Sequence, residues 1–248
     1  MKSNNQKDLP IGIYALLSVT IIMGFSGWLL KEFFNAPYGS YDMVRLTLPA
    51  EIIVVILLNF IVWKYLGYKR VGFNKPNLKG LFWFAPMVII LILNTILLVR
   101  GVTNEIAPQT KAQLLNIFLV TLLVGINEEL LFRGILLESL ITRFSKAKSI
   151  ILSAIAFALF HAVNYFSGEP LLSILSQMIM AFIAGFFLGV IRIKMNSIWP
   201  LMLWHALWDC SIFCGATLQF PNNPILSVVP VLQIVVGILV FRLINKND

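Results

Sequence analysis

The chain is divided into apolar runs of roughly 18 to 24 residues, about the length a helix needs to cross a ~30 Å hydrocarbon core. No water is available in lipid to satisfy backbone N–H and C=O groups, so runs of this length must close their own hydrogen bonds as helices. Composition agrees: 59% of residues are hydrophobic, 12% are charged and the mean hydropathy is +0.88, whereas a soluble domain carries about a quarter charged residues. The expected fold is an all-α, polytopic membrane protein of about eight transmembrane helices. These are Ile11–Leu30, Val44–Leu66, Leu81–Val99, Ala112–Arg133, Ile150–Phe166, Leu171–Ile191, Ile198–Leu218 and Ser227–Leu243. The fourth is expected to continue as a helix toward Arg143. No tandem repeat or low-complexity tract interrupts the pattern, so residues 1–248 read as one membrane-embedded helical domain. The first run follows Lys2 and Lys7 but is too long for a signal-peptide core and lacks a small-x-small cleavage site, so it is read as a retained span.

A formal charge of +8 would suit a nucleic-acid partner if it were clustered. Here the basic residues punctuate the apolar runs, so nucleic acid is excluded as a partner. With the amino terminus inside, fifteen of the nineteen lysines and arginines fall in inner segments, and only Lys31, Arg45, Arg100 and Lys111 in outer ones. Loops rich in Lys and Arg stay in the cytoplasm, so both termini are expected there. The basic loop from Lys69 to Lys79 is also placed to meet anionic headgroups. Cys210 and Cys214 are one helical turn apart in an apolar run, an awkward spacing for a disulfide, and read as small core residues.

Ionisable groups inside spans carry the functional information, because burying one costs a few kcal/mol unless it pairs, lines a wet cavity or does chemistry. Glu129 and Arg133 are four apart with the acid first, the favourable order for a helical ion pair. Glu128 points about 100° away with no partner near it in sequence. The arginine can therefore hold Glu129 as a structural, orienting carboxylate and leave Glu128 responsive to its surroundings, as a base must be. The chain has two histidines, His161 and His205, both in apolar spans; His205 and Asp209 share a helical face. Glu51 is read as structural, too far around its helix from Arg45 to pair cleanly. Trp204 and Trp208, flanking His205, are read first as packing residues.

Depth allows these groups to meet. Spans four and five form a hairpin turning near Lys146, with Glu128 18 residues before it and His161 15 after it. At ~1.5 Å per residue their heights differ by about 5 Å. His205, 11 residues beyond Lys194, reaches a similar middle depth on another span.

Glu128-Glu129 with Arg133, then Phe157 with His161, then His205 with Asp209, on successive hydrophobic spans, resembles the CPBP family. These are the CAAX-protease and bacteriocin-processing intramembrane peptidases, also called the Abi family. The likeness covers about the middle third of the chain, with a family core near residues 112–218. It implies an eight-helix fold with a cavity open to the cytoplasm, in which Glu128 and His161 activate a water to attack a scissile carbonyl. His205 and Asp209 would stabilise the oxyanion or hold the site together, with Glu129, Arg133 and Phe157 in support. The third motif in the family often ends in Asn, a donor, whereas Asp209 donates only when protonated; orienting His205 is then the more natural role for it. Glu128, His161 and His205 also offer a two-histidine, one-carboxylate zinc set with an open position. A metal-free glutamate mechanism is slightly preferred.

Other peptidase designs lack their motifs: there is no His-Glu-x-x-His, no Gly-x-Ser-x-Gly and no Gly-x-Gly-Asp. The resemblance thus implies an intramembrane endopeptidase, acting on a peptide or protein substrate such as a lipidated or leader-bearing peptide, in contact with membrane lipid. A plasma membrane, in a bacterium, is the expected location. The alternatives are a catalytically inactive immunity or scaffold protein of the same family, and a proton-coupled transporter, since buried acids and histidines also build proton relays. Orientation is directly testable: a reporter fused to the carboxy terminus is expected to be active only on the cytoplasmic side, and activity on the opposite side would overturn the charge-based topology.

Overall fold

The computed structural model describes residues 8–101, 106–220 and 225–246; Lys2 and Lys7 lie outside them. The described residues form helices and no strand. The order is α1 (Asp8–Phe34), α2 (Tyr41–Ile61), α3 (Leu78–Gly101), α4 (Pro108–Glu129), α5 (Leu137–Ile141), α6 (Lys146–Phe160), α7 (Leu171–Met195), α8 (Trp199–Thr217) and α9 (Ile225–Asn245). A π-helical segment, Leu130–Leu136, joins α4 to α5, so Pro108–Ile141 is one 34-residue helical rod. The continuation expected from sequence is present.

Seven helices are long and apolar enough to span a membrane, and the chain is an all-α polytopic membrane protein. The eighth expected span does form a helix, α8, of 19 residues, but it is not among the seven. Its tryptophans, His205 and Asp209 lower its hydropathy, and those polar groups are the ones that face the interior.

Local chemistry explains the helix ends. Ser40 and Ser145 cap α2 and α6 by accepting from the amides of Met43 and Lys148. Pro108 and Pro200 stand in the first turns of α4 and α8, where no intrahelical N–H is needed. Asn196 ends α7 in the left-handed region at φ 55°. The loop after α2 is strapped down by Asn77 N–H to Met195 O (2.8 Å) and Ile198 N–H to Gly72 O (3.0 Å). Arg70, counted above among the loop cations, turns inward to Asp8 at 2.7 Å; Arg192, 2% exposed, pairs with Glu138 at 2.9 Å.

One apolar cluster gathers α1 and α2 around the π segment, with Leu130, Leu131, Phe132 and Ile135 at its centre. Another joins α3, α7, α8 and α9 through Phe84, Phe187, Leu188 and Trp204. Large side chains such as Tyr14, Ile21, Ile56 and Leu172 point outward, as a lipid-facing surface requires. Helices α4 and α8 approach most tightly at Gly125, where a Cβ would lie 2.6 Å from the Ala206 amide nitrogen and 2.8 Å from the Met202 carbonyl oxygen. Backbone cannot yield as a flexible side chain does, so only glycine permits this crossing, three residues before Glu128 and against the turn bearing His205. Gly125→Ala is expected to destabilise the protein by about 1–3 kcal/mol and to lower the midpoint of thermal unfolding in detergent. An unchanged midpoint would show that the helices separate without strain.

Candidate active site

The acidic doublet at the end of α4 is split by its surroundings. Glu129 is fully buried, whereas the Glu128 side chain keeps 18% of its exposure, onto a cavity. Arg133, also without exposure, reaches back one turn to Glu129 Oε1 at 2.9 Å. The π winding begins at Leu130. Its wider register sends the Leu137 amide to Phe132 O, five residues back, and the same oxygen accepts from Ser153 Oγ of α6 at 2.9 Å. Segments of this kind recur at functional sites.

His205 in α8 lies against both acids. Its Nδ1 is 2.8 Å from Glu129 Oε1, which accepts the hydrogen bond. Its Nε2 is 3.5 Å from Glu128 Oε2 and 3.5 Å from Asp209 Oδ2, contacts too long for strong hydrogen bonds. The imidazole is therefore held by Glu129, not by Asp209, to which the sequence reading gave that role. Asp209 stands instead beside Glu128, on the far nitrogen. Helix α6 stops at Phe160, and His161 opens a 3₁₀ turn, His161–Tyr165. Its Nδ1 donates to Phe157 O at 2.9 Å, which fixes that proton and leaves Nε2 as an acceptor. Phe157 thus does more than pack. The Arg133 guanidinium carbon sits 4.2 Å from its ring centroid, and His161 and His205 meet the ring edge-on at 4.9 and 6.2 Å.

Glu128, His161, His205 and Asp209 line one cavity of about 400 Å³. The structure also supplies the polar wall residues Tyr38, Asn164 and Gln177, beside Glu51. Asn127 Nδ2 donates to Glu51 Oε2 at 2.7 Å and to Glu51 O at 3.0 Å, so Glu51 has its partner in Asn127 while Arg45 pairs with Asp42. Asn164 donates to Gln177 Oε1 (2.8 Å), and Gln177 Nε2 donates to the Tyr38 hydroxyl (2.7 Å). Tyr38, in the link between α1 and α2, has its pKa pushed up to about 12, chiefly by burial. A polar residue in an apolar span was the available signal for Gln177; nothing in sequence places Tyr38 opposite it. Trp204 is buried with its Nε1 on Met87 O at 3.0 Å, a packing residue, while Trp208 stacks on it at 5.5 Å and faces the cavity. Cys210 and Cys214 are free, with their sulfurs 3.7 Å apart.

Nδ1 of each imidazole is already engaged, and among the described residues no three His, Cys, Asp or Glu side chains are placed to hold a metal ion.

Fold and site together define a polytopic helical membrane protein with carboxylates and imidazoles gathered in an interior cavity. Residues 110–211 match the family model described as type II CAAX prenyl endopeptidase Rce1-like, a match to the CPBP, or CAAX-protease, family. The match covers less than half of the chain, from α4 into α8, and includes all three motifs. A comparison with curated proteins gives no match.

Among the described residues, Arg133 and Glu129 are compensated for their burial by each other, by His205 and by the Phe157 ring. Removing the cation with Arg133→Ala is expected to cost roughly 3–5 kcal/mol, the range for breaking a buried pair, read as a collapse in folded yield and thermal midpoint in detergent. Wild-type stability in that variant would mean the pair is not what keeps Glu129 inside.

Proposed function

We propose that the protein is an intramembrane endopeptidase that hydrolyses a peptide bond with a water activated by Glu128. The observation that carries this reading is the split doublet: one carboxylate is consumed by Arg133 and His205, and the next opens onto a cavity shared with both imidazoles. The family match is to a prenyl endopeptidase description, which makes a prenylated carboxy-terminal peptide the first substrate class to test.

Peptide hydrolysis needs a base for the water and a donor aimed at the developing oxyanion. Glu128 takes a proton from water as the oxygen attacks the scissile carbonyl, and His161 Nε2 accepts the water's second hydrogen bond to orient it. His205, carrying a proton on Nε2, donates to the oxyanion as the carbonyl π bond opens; Asp209 beside that nitrogen favours the charged imidazole. Glu128 then returns its proton to the leaving amine as the C–N bond breaks. Glu129 and Arg133 act as positioning residues through His205 Nδ1. In a water-poor interior each of these charges acts more strongly than it would in bulk solvent. No step is routed through a metal.

Cleavage of an S-farnesylated peptide ending Cys-Val-Ile-Met by the protein in liposomes, followed by mass spectrometry, tests this. Glu128→Gln is expected to lose about 10²–10⁴-fold in rate, with folded yield retained. Cleavage by the wild type should survive exhaustive treatment with a metal chelator. Equal cutting by wild type and Glu128→Gln would remove the proposed base. A protein that cuts nothing but moves protons with a solute would be a transporter.

A further inference from the structure

A second cavity, of about 490 Å³, shares His161, Gln177, His205, Trp208 and Asp209 with the first. Its far wall is built by α7 and α9 from Met180, Ala181, Leu188 and Val229, all apolar. Two polar residues of α9 break that character, exposed Ser227 and buried Gln233. Gln233 is only 4% exposed and lines this cavity, and its side-chain amide makes no hydrogen bond among the described residues. Gln177 on the shared wall is the contrast, since both ends of its amide are engaged, by Asn164 and by Tyr38. Buried amides are normally paired, and leaving one without a partner is unfavourable. Gln233 also lies beyond residues 110–211, so the family match assigns it no role.

We propose that the cavity between α7, α8 and α9 is a substrate subsite. It receives an apolar side chain of the peptide on one flank of the scissile bond, and Gln233 pairs its carboxamide with a backbone peptide group of that flank. A carboxamide offers both an acceptor and donors, as a peptide N–H and C=O require. The apolar wall takes the side chain while the imidazole end of the same cavity takes the reacting carbonyl. A membrane acyl chain would fill the apolar volume equally well but would leave the Gln233 amide unpaired; this favours the peptide. The inference rests on the peptidase reading, and Gln233 acts as a specificity residue within it.

The test uses full-length protein in liposomes with two probes: the S-farnesylated Cys-Val-Ile-Met peptide and an unmodified random decapeptide mixture, with products read by mass spectrometry. Gln233→Leu is expected to raise KM by about three- to tenfold, the loss of one hydrogen bond, with kcat within about twofold of the wild type. Gln233→Asn, which keeps the amide, should recover part of the loss. Ala181→Phe, which fills the wall, should shift cleavage toward smaller residues at one position beside the cut. Matching thermal midpoints for the variants separate these effects from misfolding. Unchanged KM and unchanged residue preference would overturn the subsite while leaving the peptidase standing. A lowered KM in Gln233→Leu would also overturn it and point to an acyl chain as occupant. If neither probe is cut by wild type or by Glu128→Gln, the peptidase reading fails and the subsite falls with it.

Discussion

The Glu129–Arg133 pair, with both side chains sealed from solvent, is the constraint on which the site depends. Taking two full charges out of water costs several kcal/mol per ion, and their attraction repays it only when the geometry is good and further partners are present. Those partners explain the surrounding architecture. His205 supplies a third hydrogen-bonding group from α8, and the Phe157 ring from α6 offers its face to the guanidinium. Gly125 lets α8 come close enough for His205 to reach across. Three helices are thus tied to one ion pair, and the position of the imidazole follows from it.

The pair also determines what is left available for chemistry. Adjacent residues on a helix diverge by about 100°, so when Glu129 turns inward, Glu128 turns toward the cavity. One carboxylate is engaged by Arg133 and His205, and the other faces the cavity. The histidines show the same division: each has Nδ1 committed, His205 to Glu129 and His161 to a backbone carbonyl, and Nε2 left for the cavity. Ring orientation is therefore set by the scaffold before any substrate arrives, which is how a site avoids reorganising during reaction. The two cavities share both imidazoles, and the proposed peptidase would have room in them for a water and for a chain.

Several features were legible because they depend on neighbours along the chain. The spans follow from hydropathy and the need to satisfy the backbone in lipid, and the rod from Pro108 to Ile141 was visible as uninterrupted periodicity. The Glu129–Arg133 pair follows from a spacing of four. The three motifs marked the stretch that the family model matches, and the sparing use of histidine pointed to both imidazoles. Other features were not legible. The π winding at Leu130–Leu136 and the 3₁₀ turn at His161 have no sequence signal separable from ordinary helix. Asp209, one turn from His205, looked like its natural partner because sequence displays only local neighbours; the closer carboxylate came from α4, 76 positions away.

The sequence by itself determined the class of fold and the Glu129–Arg133 pairing, because hydropathy and helical phase are properties of a few consecutive residues. Tertiary structure alone decided which faces met: that Glu129 holds His205, that Asn127 answers Glu51, that Gln177 joins Asn164 to Tyr38, and that Gln233 is left with an unused amide. Those pairings depend on how helices distant along the chain rotate and cross. Rotation is fixed by side-chain volumes across the whole core, such as the missing Cβ at Gly125, and not by any pattern within one span.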